Sequence, residues 1–207
     1  MKVGINIALT TVNKLPKEFF LRRNVVQIAK DLLGKILTTR IENKIASGII
    51  IETEAYSYKE RGCHAFKGKT KRNEVMFEDG GVAYVYLCYG IHEMFNVVTN
   101  VQGKADAVLV RALEPLKGLD LMKERTAAKS EKRIMSGPGK LTKAMGIDRT
   151  FNGIQLNSNK LWLEEGIKIK KADIEASKRI GIDYAGEDAL LPWRFTIKNS
   201  DEYLTSL

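Results

Sequence analysis

Glu52 and Glu54 stand two residues apart at the end of an apolar run, Gly48-Ile-Ile-Ile-Glu-Thr-Glu-Ala-Tyr56. In a strand, alternate residues share a face. Ile50, Glu52, Glu54 and Tyr56 then line up, while Ile51, Thr53 and Ala55 point the other way. Burying two carboxylates is costly unless they are paired or used, and burial and a like-charged neighbour both disfavour the ionised form. That is the setting for a general base or acid near neutral pH. The plainer alternative is an exposed strand end with solvated glutamates. Arg111 interrupts a second apolar run, Ala107-Val-Leu-Val-Arg-Ala-Leu113. A buried arginine needs a partner, and Glu54 or Glu114 would serve, either as a structural ion pair or as part of a site.

A third constellation is aromatic. Tyr84-Val-Tyr-Leu-Cys-Tyr89 puts Tyr84 and Tyr86 on one face of a strand and Tyr89 on the other, with Gly90 free to turn the chain sharply. Tyrosines in strands often only pack; beside a basic loop they also suit base stacking. His64 lies in such a loop, and with His92 it is one of only two histidines. Two histidines without zinc-type cysteine spacing give no metal site, and the His-x-Glu with Cys-x-x-Cys pattern of zinc deaminases is absent. Cys63 and His64, as neighbours, face apart and make a poor nucleophile pair; Cys88 reads as an inert core thiol. Neither phosphate-loop nor dinucleotide fingerprints occur, so ATP hydrolysis and hydride transfer lack support and no nucleotide cofactor is expected. Ser136-Gly-Pro-Gly-Lys140 opens a short helix, and could offer N–H groups to a phosphate or simply be a helix-entry turn.

The elements that must position these residues follow from periodicity. Val25, Ile28, Ala29, Leu32 and Leu33 recur at helical spacing, with Asn24 as N-cap and Gly34 as the stop. Strand-like runs at 35–41 and 45–56, joined by Glu42-Asn-Lys, predict a hairpin. Further strands are expected at 82–89, 105–113, 154–156, 161–163, 167–169 and after Pro192-Trp-Arg-Phe195, with helices at 118–128 and 140–145. The Gly-, Lys- and Arg-rich stretch Gly62–Gly81 predicts a long loop, a length that is often functional. Residues 1–15 read as a loose arm and 16–207 as one mixed α/β (α+β) domain.

Composition narrows the classes. The 207 residues are 44% hydrophobic and 29% charged, too apolar for a disordered chain. Two cysteines cannot make a disulfide scaffold, and no apolar run approaches the ~20 residues of a membrane span. Lacking a recognisable signal sequence, the chain is expected to be cytoplasmic, with reduced cysteines. Thirty-four Lys and Arg against 25 Asp and Glu leave a net charge of +9, which favours polyanions such as nucleic acid.

In chain order, Leu32-Leu-Gly, Glu52-Thr-Glu-Ala-Tyr56, His64, Arg72-Asn73, Met76-Phe77, Tyr84-Val-Tyr86, Tyr89-Gly90, Asn96, Arg111-Ala-Leu-Glu-Pro115, Ser136-Gly-Pro138, Lys140-Leu141 and Pro192-Trp-Arg194 resemble the 3-methyladenine (alkyladenine) DNA glycosylase family. The similarity spans most of residues 18–200. It implies a single domain with a curved antiparallel sheet flanked by helices. It also implies a monofunctional, monomeric enzyme without metal or cofactor that cuts the N-glycosidic bond of damaged purines in double-stranded DNA. By position, Glu54 matches the base that activates water, and Arg111 the residue beside that water. Tyr56, His64 and Tyr86 match the residues that sandwich the flipped base, and Asn96 the one that disfavours guanine's amino group. Tyr89 matches the side chain wedged into the duplex, and Thr70, Ile91 and Lys140 match DNA-contacting positions. Lys71 and His92 depart from the family pattern, and the spacing from Glu54 to His64 is one residue shorter than in mammalian members. The long N-terminal extension of mammalian relatives is missing, as expected of a bacterial form. A non-catalytic nucleic-acid binder of the same fold is the alternative, and the preferred lesion among 3-methyladenine, 7-methylguanine, hypoxanthine and ethenoadenine stays open.

Overall fold

The computed structural model describes residues 12–131, 133–200 and 204. Of the expected N-terminal arm, residues 1–11 lie outside the described residues. Leu15 is buried and donates its N–H to the Leu163 carbonyl, so the folded body begins slightly before residue 16. A short helix α1 (Lys17–Phe20) precedes α2 (Val25–Asp31), whose N-cap Asn24 accepts from the Gln27 N–H at 3.0 Å as anticipated. Val25, Ile28 and Ala29 form the buried stripe of α2, and burying a side chain the size of Val25 or Ile28 contributes ~1.5–3 kcal/mol. At Gly34 (φ +83°) a Cβ would stand 2.3 Å from the Ile167 carbonyl oxygen, so only glycine lets the chain leave the helix this way.

Strands β1 (Ile36–Ile41) and β2 (Lys44–Tyr56) form the predicted hairpin. Glu42 and Asn43 both have positive φ, which matches a two-residue turn whose twist suits the flanking strands. Next come β3 (Ala83–Cys88), β4 (His92–Thr99) and β5 (Asp106–Lys117), then α3 (Leu119–Thr126) and α4 (Pro138–Met145). The chain ends with β6 (Leu161–Glu164), β7 (Ile174–Ser177) and β8 (Arg194–Ile197). The sheet runs β3-β4-β5-β2-β1-β6, every pairing antiparallel, and β8 joins β2 where β1 leaves it. The mixed α/β class with a bent antiparallel sheet agrees with expectation.

Several elements differ. Strand β4 has no counterpart among the expected strands. The segments at 154–156 and 167–169 are not strands: Gln155 makes one isolated bridge to Val82, and Ile167 bonds the backbone of Gly34 instead. Strand β5 continues through Pro115, which stands opposite Gly48 at an irregular register. The main core lies between the sheet and helices α2 and α4. A second apolar cluster, including Cys63, Met76, Val82, Tyr84 and Ala107, lies beneath the 57–82 loop and anchors it to the sheet.

Candidate active site

The upper half of β2 carries the candidate carboxylates, and a pair of bulges places them. Ile50 faces Leu113 and Glu52 faces Ala112, leaving Ile51 unpaired. Thr53 then faces Val110, leaving Arg111 unpaired. A bulge shifts the alternation of faces. Below it, Ala46 and Ile50 enter the main core; above it, Ala55 enters that core and the Thr53 hydroxyl donates to the Ala29 carbonyl at 2.9 Å. Ile50 therefore does not share a face with Glu52, Glu54 and Tyr56, contrary to simple alternation. The last three do share one, and Arg111 joins them from its own bulge. One rung crosses five strands as Tyr84–Asn96–Leu109–Glu54–Arg194 and brings the distant motifs together.

Glu54 is fully buried. Its Oε1 accepts from the Ile180 N–H at 2.8 Å; its Oε2 accepts from the Tyr56 hydroxyl at 2.8 Å and from Arg111 Nη1 at 3.3 Å. All three are donors, which suits a carboxylate that accepts at both oxygens. Burial first, and then the Glu54 charge, push the Tyr56 phenol upward, so it stays a neutral donor. Arg111 Nε also donates to Glu52 Oε1 at 3.0 Å, and Arg194 Nε reaches the same oxygen at 2.7 Å. Of the two partners open to Arg111, Glu54 is the one found here, and Glu52 is added.

These residues back a cleft of about 530 Å³, within the range of small-molecule sites. Tyr56, His64, Tyr84, Tyr86, Asn96 and Arg111 line it; Glu54 stands directly behind, touching the lining through Tyr56, Arg111 and Ile180. The Tyr84 and Tyr86 rings lie 5.3 Å apart, His64 packs against Tyr86 at 4.5 Å, and His64 Nδ1 is 3.0 Å from the Tyr84 hydroxyl. Asn96 is buried and donates to the Tyr84 carbonyl at 3.2 Å. Buried Asn73 shapes the loop that presents His64: its Nδ2 donates to the His64 and Gly68 carbonyls, and its Oδ1 accepts the Thr70 N–H at 2.6 Å.

Burial, reinforced by the Arg72 charge, lowers His64 to about 4, and burial raises Tyr84 to about 12. The imidazole is neutral at physiological pH and offers a π-face without charge. We expect its ring protons to titrate by NMR near pH 4; a midpoint near 6.5 would contradict this packing. Because the folded value lies below the unfolded 6.5, the unfolded chain takes up the extra proton first. The His64 contribution to stability is thus complete above pH 6.5 and is lost as pH falls through 4.

The remaining predicted residues surround the cleft mouth or lie beyond it. Tyr89 (φ +50°, 86% exposed) and Ile91 occupy the three-residue turn between β3 and β4, and Thr70 and Lys140 are exposed on the basic loop and the first turn of α4. Cys63 is buried and driven up to about 12 by burial, an unreactive thiol. Cys88 is half-buried and lines the cleft, so it is not the core thiol expected, because β3 leaves the core near its end. Sequence reasoning also missed the 178–191 stretch. Arg179, fully buried, donates to both oxygens of Glu60 and to the Ala55 and Asp188 carbonyls, and stacks 4.6 Å from the Tyr56 ring. The adjacent Ile180 supplies the N–H on Glu54, and Ile180 and Tyr184 stand exposed at the rim.

Residues 18–201 match the methylpurine-DNA glycosylase family. The chain is 48% identical over 187 residues to a protein of Carboxydothermus hydrogenoformans, covering 90% of this chain and 96% of the relative. A Methanocella arvoryzae protein is 48% identical over 189 residues, covering 90% and 93% of the two chains. A Chlamydia felis protein is 44% identical over 187 residues, covering 88% and 95%. All three carry the name "Putative 3-methyladenine DNA glycosylase". With the family match spanning nearly the whole described body, and with its motifs gathered around one cleft, this chain belongs to the methylpurine-DNA glycosylase family.

Proposed function

We propose that this protein is a DNA-repair glycosylase that turns a damaged purine out of duplex DNA and hydrolyses its N-glycosidic bond, leaving an abasic site. The observation that carries this reading is Glu54: a buried carboxylate held by three donors, directly behind an aromatic-lined cleft of about 530 Å³. The base stacks among Tyr56, His64 and Tyr86, and Asn96 faces its edge. Water attacks C1′ and gives its proton to Glu54, while N9 keeps the bonding pair. The Arg111 contact, at 3.3 Å the longest of the three, is the one that lengthens to admit the water. No step calls on a metal or nucleotide cofactor.

Binding follows from the surface. Exposed Tyr89, Ile180 and Tyr184 rim the cleft, and exposed Lys67, Lys69, Lys71 and Arg72 with Lys140 flank it. Lysines on phosphates give affinity with a salt slope of about −0.9 per phosphate neutralised. Tyr89 fills the gap left by the extruded base. Removing it by Tyr89→Ala is expected to weaken capture of lesion duplex about tenfold, at ~1–3 kcal/mol per stacking contact. Ethenoadenine fluorescence reads this directly, and unchanged affinity and single-turnover rate would remove Tyr89 from the role.

The function is tested by single-turnover excision from labelled duplexes bearing hypoxanthine, ethenoadenine or methylated purines, with alkali to reveal abasic sites. Product establishes the glycosylase and ranks its lesions. Salt-sensitive DNA binding without product on any lesion would leave a non-catalytic binder of the same fold.

A further inference from the structure

We propose that Arg72 sets the preference among lesions, favouring neutral purines such as hypoxanthine over cationic ones such as 7-methylguanine by holding an uncompensated positive charge against the aromatic wall. The inference rests on the glycosylase reading and goes beyond it. The Arg72 guanidinium carbon lies 5.2 Å from the centre of the Tyr86 ring, and Arg72 lines the cleft. The other arginine in the lining, Arg111, is neutralised in place: Arg111 and Arg194 share two positive charges with the two negative charges of Glu52 and Glu54. His64 is neutral, and the lining includes no carboxylate. None of the ion pairs among the described residues includes Arg72. The surrounding groups register this charge. It opposes a proton on His64, and it favours the phenolates of Tyr84 and Tyr86 against the opposing effect of burial.

The two lesion classes differ in the charge they carry and the charge they leave with. When the C1′–N9 bond of a neutral lesion breaks, the electron pair passes to N9. The base departs with negative charge until it takes a proton from solvent, while the water oxygen bonds C1′ and its proton goes to Glu54. For a cationic lesion the same pair neutralises the ring, and the base departs uncharged. A guanidinium beside the ring stabilises the developing charge in the first case. In the second it repels the bound cation and competes with it for the tyrosine face.

The test compares single-turnover excision of hypoxanthine and of 7-methylguanine at fixed ionic strength by wild type, Arg72→Gln, Arg72→Lys and Lys71→Ala. Arg72→Gln is expected to lower the hypoxanthine to 7-methylguanine rate ratio about tenfold. Arg72→Lys, which keeps the charge, restores most of the ratio. Lys71→Ala, one residue away and off the ring, lowers both rates alike. If Arg72→Gln also lowers both rates alike, or raises the ratio, Arg72 is a phosphate contact and the inference falls while the glycosylase reading stands. Wild type inactive on both lesions would remove that reading, and the inference with it.

Discussion

Replacing Glu54 by Gln is expected to lower single-turnover excision by ~10²–10⁴-fold, the usual contribution of a positioned base, while lesion duplex is still bound. Shape is preserved, but hydrogen bonding is not. Each carboxylate oxygen of Glu54 faces an N–H that can only donate: Ile180 N–H at Oε1 and Arg111 Nη1 at Oε2. The amide nitrogen of Gln therefore meets a donor at whichever position it takes, at a local cost of ~1–3 kcal/mol. Thermal unfolding of the variant separates that cost from chemistry. Binding retained with turnover lost supports the base; binding and turnover lost in equal measure would refute it.

The largest effect on stability is expected at Arg179. Its side chain has no exposure and that of Glu60 has 5%, so Arg179→Met leaves a buried carboxylate unpaired. Breaking such a pair costs ~3–5 kcal/mol, which for a chain this size lowers Tm by about 10 °C. Adding Glu60→Gln to Arg179→Met removes the stranded charge and should recover part of the loss. The pair is not fully satisfied even in the native fold, since Arg179 Nε is buried without a partner. A fall in Tm of under about 2 °C in the single variant would show that the pair does not hold the 178–191 stretch in place.

Much of this arrangement is legible from local chemistry. Asn24 and Gly34 bracket α2, and the β1–β2 turn follows from Glu42-Asn-Lys. Alternation correctly puts Tyr84 and Tyr86 together on the cleft wall, but it does not apply to Tyr89, which lies past the end of β3 in a positive-φ turn and borders the same cleft. It fails at Ile51, where an extra residue reverses the facing of everything before it, because a bulge is set by the partner strand and leaves no local mark. Strand β4 is obscured for another reason. His92, Glu93 and Asn96 serve the turn, a surface ion pair with Arg149 and the cleft, so its polar residues fall on both faces. Arg179 carries no local signal either, because Glu60, its partner, is 119 residues away.

The clamp on Glu54 also has a place in time. The backbone donor on its Oε1 comes from Ile180, 126 residues downstream. At ~5–20 residues per second of synthesis, about 6–25 s pass between the birth of the carboxylate and that of its donor. Arg194, the second arginine on Glu52, arrives later still. A nascent chain emerging from the ribosome thus has its sheet strands β2 to β5 and its aromatic wall well before the stretch that fastens Glu54, and the candidate site is completed only late in synthesis.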